Sequence, residues 1–464
     1  MRNLASALLL IAFLLGAAAP VSAQESDGPI YIVQPGDTLS MIASRFNISL
    51  QELMSANQIT DANLLSAGQQ LVIPGLEGIT GVLDTELINL GDSYRSLMRR
   101  TAIDPTLFQR LNRVISPTEL YVGAALILPR RENAPAYAST GISAGESLLE
   151  LAVHQGTDVW TMAAVNGLAG SWDGLPGDSL YSADSTEGEP AGGLPPAFTS
   201  AEITTLPLKQ GGTAEILITP AAGAGLGGQL ADFPLHFFAL SDGSQVALQG
   251  IPALLDPGLY PLRLDAALPD GSRQSYEQMV LVNSGNYLSE TIPLNDPSTI
   301  DPAVTGPETS QIASIVGVAP TDRLWNGIFA SPAVYANCFT SRFGTRRTYK
   351  VINSTTEVPG FHSGLDFCGG DGLPITAPAA GRVVFAGPLA VRGNATIIDH
   401  GWGVFSGFWH QSEIQVQVGQ VVEQGQQIGL VGGTGRVTGA HLHWELWVNN
   451  VQVDPLDWLN RAFP

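Results

Sequence analysis

At 464 residues, with 44% hydrophobic and 14% charged side chains, the chain is long enough for several globular domains, each burying its own core. Its 42 acidic residues against 21 basic ones give a net charge of -21. That argues against nucleic acid, whose phosphates need clustered Lys and Arg, and it removes any electrostatic pull toward an anionic membrane surface.

The N-terminus reads as an export signal, residues 1–23. Arg2 supplies the positive start, Leu4 to Ala18 an apolar run, and Val21-Ser22-Ala23 a small-x-small cleavage pattern. A retained membrane anchor is the alternative. No later apolar run reaches about 18 residues, so no stable membrane insertion is expected after cleavage.

Three repeats follow. Gly36, Gly91 and Gly145 open them, and Asn57, Asn112 and Asn166 each stand 21 residues later. Gly68, Gly123 and Gly177, then Leu71, Leu126 and Leu180, keep the same register. Short apolar stretches such as "YIV" and "LVIP" bracket segments with helical spacing, which predicts strand-helix-helix-strand units over 30–75, 84–130 and 139–183. Thr38, Ser49 and Thr106 sit where helices should begin, as caps for orphan amides. The repeated Gly and Asn read as turn and capping residues. The first unit, "YIVQPGDTLSMIASRFNISLQELMSANQI…LLSAGQQLVIP", resembles the LysM module. That resemblance implies binding of N-acetylglucosamine-containing glycans such as peptidoglycan. The second and third units are degenerate versions, the third ending "LYSAD" in place of "IP".

Residues 185–198 form a Pro/Gly linker. Over 199–285 the pattern alternates ("AEILIT", "LHFFAL", "QVALQG", "LYPLRLDA", "QMVLV") with turn signals "SDGS", "DPG" and "PDGS", which predicts an antiparallel β-sandwich. It resembles the immunoglobulin-like domain found before the catalytic domain of some exported cell-wall peptidases. His236 is expected to be a part-buried strand residue without chemistry. Residues 286–330, rich in Pro, Asp, Ser and Thr, read as a connector with one short helix near Glu308 to Val316, or as a tether.

The last segment, 331–464, holds five of the seven histidines on a β-type background. His441 and His443, two apart on a strand, project to one face. His362 and Asp366 share a face if their segment is extended, and Gly364 leaves room for something close to the backbone. Two imidazoles and a carboxylate suit Zn²⁺ with a fourth position left to water. Cys338 and Cys368 form an even pair, which in an exported protein favours a disulfide over two buried thiols. Such a bridge would be worth roughly 3 to 4 kcal/mol in the chain-entropy account.

"SRFGTRR", "HSGLD", "APAAGRVVFAG", "IIDHGWGV", "VGQVVEQGQQIGLVGGTGRVTGAHLHWEL" and "DPLDWL" resemble, in order, the lysostaphin/LytM-type zinc endopeptidases, which cleave peptides within peptidoglycan. The resemblance implies a mainly antiparallel β domain with one zinc, metal ligands at His362, Asp366 and His443, and catalytic histidines at His410 and His441. His400 reads as structural support. Phe408-Trp409-His410-Gln411 departs from the family's Tyr-x-His-Leu. The chain as a whole is therefore expected to be multidomain: α+β LysM repeats, a β-sandwich and a β peptidase domain, exported and wall-associated, with peptidoglycan as partner. A non-catalytic wall-binding regulator on the same fold, or a latent enzyme whose sandwich or connector covers the cleft, is the competing expectation.

Overall fold

The structure, a computed structural model, describes residues 28–464 except positions 77, 95–96, 99–102, 114–119, 131–137, 143–144, 176–177, 183–193, 295–299, 321 and 438. The expected signal segment, most of the 185–198 linker and Gly177 lie outside the described residues. Among the described residues no helix is long and apolar enough to cross a membrane. The chain divides into two compact units, one running to Thr85 with Ile127–Glu132, the other made of Glu86–Leu126 and Asn133–Pro464.

In the first unit, strands Ile30–Ile32 and Gln70–Val72 pair antiparallel and enclose helices Leu39–Phe46 and Leu50–Ala56. The helices form where they do because Thr38 and Ser49 cap them, Ser49 in a reciprocal capping box with Glu52. Leu39, Ile42, Ala43, Phe46 and Leu53 turn inward beneath Tyr31 and Leu71. The Asn57 amide clamps this arrangement. Its Nδ2 donates to the carbonyls of Leu53 and Val72, and its Oδ1 accepts from the Val72 amide at 2.7 Å.

In the second unit, the third repeat has the same plan. Strands Ala138–Gly141 and Ser179–Ser182 flank helices Leu148–His154 and Val159–Val165, and Asn166 repeats the clamp on Met162 and Tyr181. The opening glycines Gly36, Gly91 and Gly145 all have φ between 84° and 90°, which explains why only Gly recurs there. Helix Pro105–Asn112 of the second repeat is capped by Asp104, not by Thr106 as the sequence suggested. Proline occupies its first position, having no amide hydrogen to satisfy there, and this shifts the cap one residue upstream of it.

Residues 198–283 form two antiparallel-rich sheets. One has the strand order Phe233–Pro234, Gly225–Leu230, Gly258–Ala267, Arg273–Asn283, Leu208–Lys209. The other runs Phe237–Ala239, Gln245–Gly250, Thr213–Pro220, Phe198–Ile203. Ile216, Ile218 and Ala247 from one sheet share a core with Leu262, Leu264 and Val280 from the other. His236 is exposed rather than part-buried, because it falls in the gap between two very short strands. Phe238 stacks on Trp402 at 5.0 Å, so this pair of sheets packs on the C-terminal domain.

The C-terminal domain is built on an eight-stranded sheet. Its central order is Phe339–Ser341, Leu365–Phe367, Leu442–Val448, Val404–Gln411, Gly393–Gly401, Gly381–Leu389, Val421–Val422, with every neighbouring pair antiparallel. Beneath it Phe367, Val383, Ile398, Phe408, Trp444 and Leu446 are closed from solvent. Cys338 and Cys368 are joined by a disulfide that ties the edge of this sheet together. The segment 286–330 is built into the domain. Strand Ser289–Leu294 pairs in parallel with Arg346–Val351, and helix Pro302–Val316 packs Ile312 and Val316 against Ile397, Phe405 and Trp447. This helix starts six residues before the expected Glu308. Pro302 sits at its first position beside the Asp301 cap, and interior Pro307 costs only part of one turn.

Candidate metal centre and cleft

His443 lies on Leu442–Val448 directly opposite Asp366 on Leu365–Phe367, since these strands pair antiparallel. His362 enters from the end of Glu357–Phe361. The strands can approach this closely because Gly364 lies between them; a Cβ there would sit 2.2 Å from the Trp444 carbonyl and 2.8 Å from His443 Nε2. The three side chains converge. His362 Nε2 is 3.0 Å from Asp366 Oδ1, His443 Nδ1 is 2.7 Å from the same oxygen, and the two nitrogens are 3.1 Å apart. All three residues are buried.

The surroundings fix which atoms are free to bind. The far nitrogen of His362, Nδ1, donates to the Arg342 carbonyl at 2.9 Å, leaving the Nε2 lone pair pointing inward. His443 Nε2 faces the Glu445 carboxylate at 3.3 Å, leaving Nδ1 for the centre. Tetrahedral zinc with bonds of about 2.0 to 2.2 Å spaces its ligands about 3.3 Å apart, so two nitrogen lone pairs and a carboxylate oxygen at these separations fit that ion. Among the described residues this is the one group of three such side chains so arranged. Burial works against charge on His443, but Asp366 and Glu445 outweigh it and raise its pKa to about 9. Burial likewise opposes the Asp366 charge, yet His443, His362 and His441 hold it well below the usual carboxylate range.

Two more imidazoles border the centre. His441 stands two residues before His443, its Nε2 3.5 Å from Asp366 Oδ1. Its Nδ1 donates to the Gly439 carbonyl at 2.8 Å. His410 sits in a bulge of Val404–Gln411, opposite Ala395, with φ of +63°. The bulge turns its ring toward His441, 5.4 Å away between centroids. The His410 Nδ1 donates to the Thr434 carbonyl at 2.8 Å, so Nε2 again faces the cleft. Burial is the main cause that lowers its pKa, to about 3. His400 is elsewhere. Fully buried, it spans the Ala380 carbonyl and the Ser406 hydroxyl.

These groups line one cleft of about 470 Å³, along with Ile292, Pro293 and Leu294 of the connector strand and Arg347, Arg392 and Arg436. None of its lining residues comes from 198–283. Phe408, which stands where the family's tyrosine was expected, is buried in the core, while its neighbour Trp409 lines the cleft and lies under Arg392 at 5.2 Å.

Several participants were not assigned from sequence. Glu445 completes the set His441, His443, Glu445 on one strand face, and period-two spacing could have exposed it. It is fully buried, accepts from Ser363 and Gln452, and lies 3.6 Å from Arg392. Behind Arg392 stands Glu308 of the connector helix at 2.9 Å, whose other oxygen accepts from the Val391 amide. No local pattern links positions 308, 392 and 445.

Within the C-terminal domain, residues 360–455 match peptidase family M23. Residues 31–74 and 88–129 match the LysM domain. Among characterised relatives, the peptidoglycan DD-endopeptidase ShyA of Vibrio cholerae is 38% identical over 117 residues, which are 25% of this chain and 26% of that protein. The DD-carboxypeptidase/endopeptidase Mpg of Neisseria meningitidis is 35% identical over 130 residues, 28% of this chain and 29% of its own. The chain thus spans under a third of the length of these curated relatives. The catalytic domain of lysostaphin from Staphylococcus simulans is similar at 34% identity and a TM-score of 0.21, over 22% of this chain and 80% of that one.

Proposed function

We propose that this chain is an exported, zinc-dependent endopeptidase that hydrolyses peptide bonds in peptidoglycan stem peptides or crosslinks and holds the glycan through its LysM modules. The observation that carries the reading is the meeting of His362 Nε2, Asp366 Oδ1 and His443 Nδ1 within 3.1 Å of one another, beside two further imidazoles. Zn²⁺ held there would polarise the scissile carbonyl and lower the pKa of the attacking water. His362 and His443 are kept in the ligating tautomer by the Arg342 carbonyl and Glu445. His410 and His441, each with Nδ1–H tied to a carbonyl, present Nε2 to the cleft, where they take the proton of the water and return one to the leaving amine.

The name of ShyA, a peptidoglycan DD-endopeptidase, supports this substrate class. The third repeat we read as a further LysM module, and 199–285 as an immunoglobulin-like sandwich that positions the peptidase domain. Residues 1–23 we read as the cleaved export signal, which places the protein in the cell envelope.

The test is incubation of the mature protein with purified sacculi, with and without chelator, followed by zinc restoration. New amine termini that vanish with chelator and return with zinc are expected. A protein that holds no zinc and releases no amine termini would instead be a wall-binding regulator.

A further inference from the structure

Helix Pro302–Val316 turns Glu308, Ile312 and Val316 inward, each a little over one turn from the last. Ile312 and Val316 pack on Ile397, Phe405 and Trp447, whereas Glu308 is an acid that is only 5% exposed. A buried carboxylate costs more to take out of water than an apolar side chain of its size. A buried ion pair returns little net stability against such a replacement. Packing therefore does not account for Glu308.

Its partners do. One carboxylate oxygen accepts from the Val391 amide at 2.7 Å and the other from Arg392 Nη1 at 2.9 Å. Arg392 lies over the Trp409 ring, and its Nη2 stops 3.6 Å from Glu445 Oε1. That oxygen is already in use. It accepts from the Ser363 hydroxyl at 2.8 Å and faces His443 Nε2 at 3.3 Å. The other oxygen of Glu445 accepts from Gln452 at 2.7 Å. A carboxylate oxygen has about two lone-pair sites, so a guanidinium drawn closer would compete with His443 for Oε1. At 3.6 Å Arg392 balances the charge of Glu445 without taking a hydrogen bond from it. Glu308, pulling from the far side, keeps it there.

We propose that Glu308 is a positioning residue for the metal centre: it restrains Arg392, and so leaves Glu445 free to hold the His443 ring with Nδ1 turned to the ion. The connector helix is thereby part of the zinc site without touching it. This rests on the zinc reading above and adds a residue that tunes it.

The experiment measures the zinc affinity of the full-length protein, stripped of metal and titrated with Zn²⁺ against a competing chelator. Glu308→Gln is expected to weaken zinc binding about tenfold, within the range for lost support of a ligating histidine. Glu308→Met continues the apolar stripe and keeps the helix packed, and it should weaken binding as much. Glu445→Gln should weaken binding about 10- to 100-fold. Adding Glu308→Gln to it should change affinity by less than about twofold, because Glu308 acts through Glu445. Ile312→Ala, on the same helix face, should lower Tm yet leave zinc affinity within about twofold. Unchanged affinity in both Glu308 variants would overturn the proposal and leave the zinc reading standing. So would an equal loss in Ile312→Ala, or a Glu308→Gln loss that adds in full to that of Glu445→Gln, since either reduces the effect to packing. An unaltered protein that binds no zinc would overturn both.

Discussion

The proposed function divides the labour at the candidate metal centre among single side chains, and that division can be measured. His443→Ala or Asp366→Ala should abolish zinc binding, because each removes one of the three atoms that would hold the ion. His441→Ala should retain zinc by metal analysis yet lose turnover by about 100-fold or more. Zinc missing from the His441→Ala protein would overturn this split. A second residue-scale prediction concerns Asp454, which caps helix Pro455–Asn460 through the Leu456 amide. Burial, aided by Asp457, raises its pKa to about 6 against the opposing effects of Leu456, Lys209 and Arg342. A folded-state carboxyl pKa above the unfolded value means the native state binds more protons between about pH 4 and 6. Stability should therefore fall as pH rises through that window. Asp454→Asn keeps a capping acceptor and removes the charge, so it should flatten the slope and add about 1 to 2 kcal/mol above pH 6, seen as a higher Tm. His362, Asp366, His441 and His443 were legible because their spacing and rarity mark them, and His410 through the family resemblance. The Thr434 and Arg342 carbonyls that set the tautomers were not, because a backbone acceptor leaves no trace in side-chain identity.

At the level of elements, alternation exposed the strands that have one apolar face, such as Gly258–Ala267. Gly225–Leu230 escaped because four of its six positions are Gly or Gln and show no period. Helix Pro302–Val316 was only half legible, since Pro307 conceals its first turns and buried Glu308 is an acid facing the core. These connector elements bear on the latency alternative. Strand Ser289–Leu294 supplies one wall of the cleft, and Glu290 and Glu308 orient two of its arginines. A chain beginning at Trp325 lacks all of these. It should cleave a small stem peptide on the order of 10- to 100-fold more slowly than the whole protein, as misplaced cleft groups cost that much. A faster truncated chain would mean that the connector covers the cleft.

Across the whole molecule, the proposed function has the repeats and the C-terminal domain serve one polymer in two ways, and their contributions would separate by substrate. Sacculi are insoluble, so a module that holds glycan raises the local concentration of the attached peptidase, to the mM range for short flexible links. That gain exists only if glycan and peptide belong to the same particle. Removing residues 28–183 should therefore reduce release of amine termini from sacculi by about tenfold or more, most at low protein concentration, where unaided encounter is rare. A soluble stem peptide offers no glycan to hold, so its kcat/KM should stay within about twofold of the whole protein's. Substituting Asn57 by Ala should give part of the first effect through the fold of a single module. Its amide joins the second helix to the closing strand by three hydrogen bonds, each worth about 1 kcal/mol. If the shortened and whole chains digest sacculi equally at every concentration, the repeats contribute nothing to hydrolysis and some other part of the chain holds the wall.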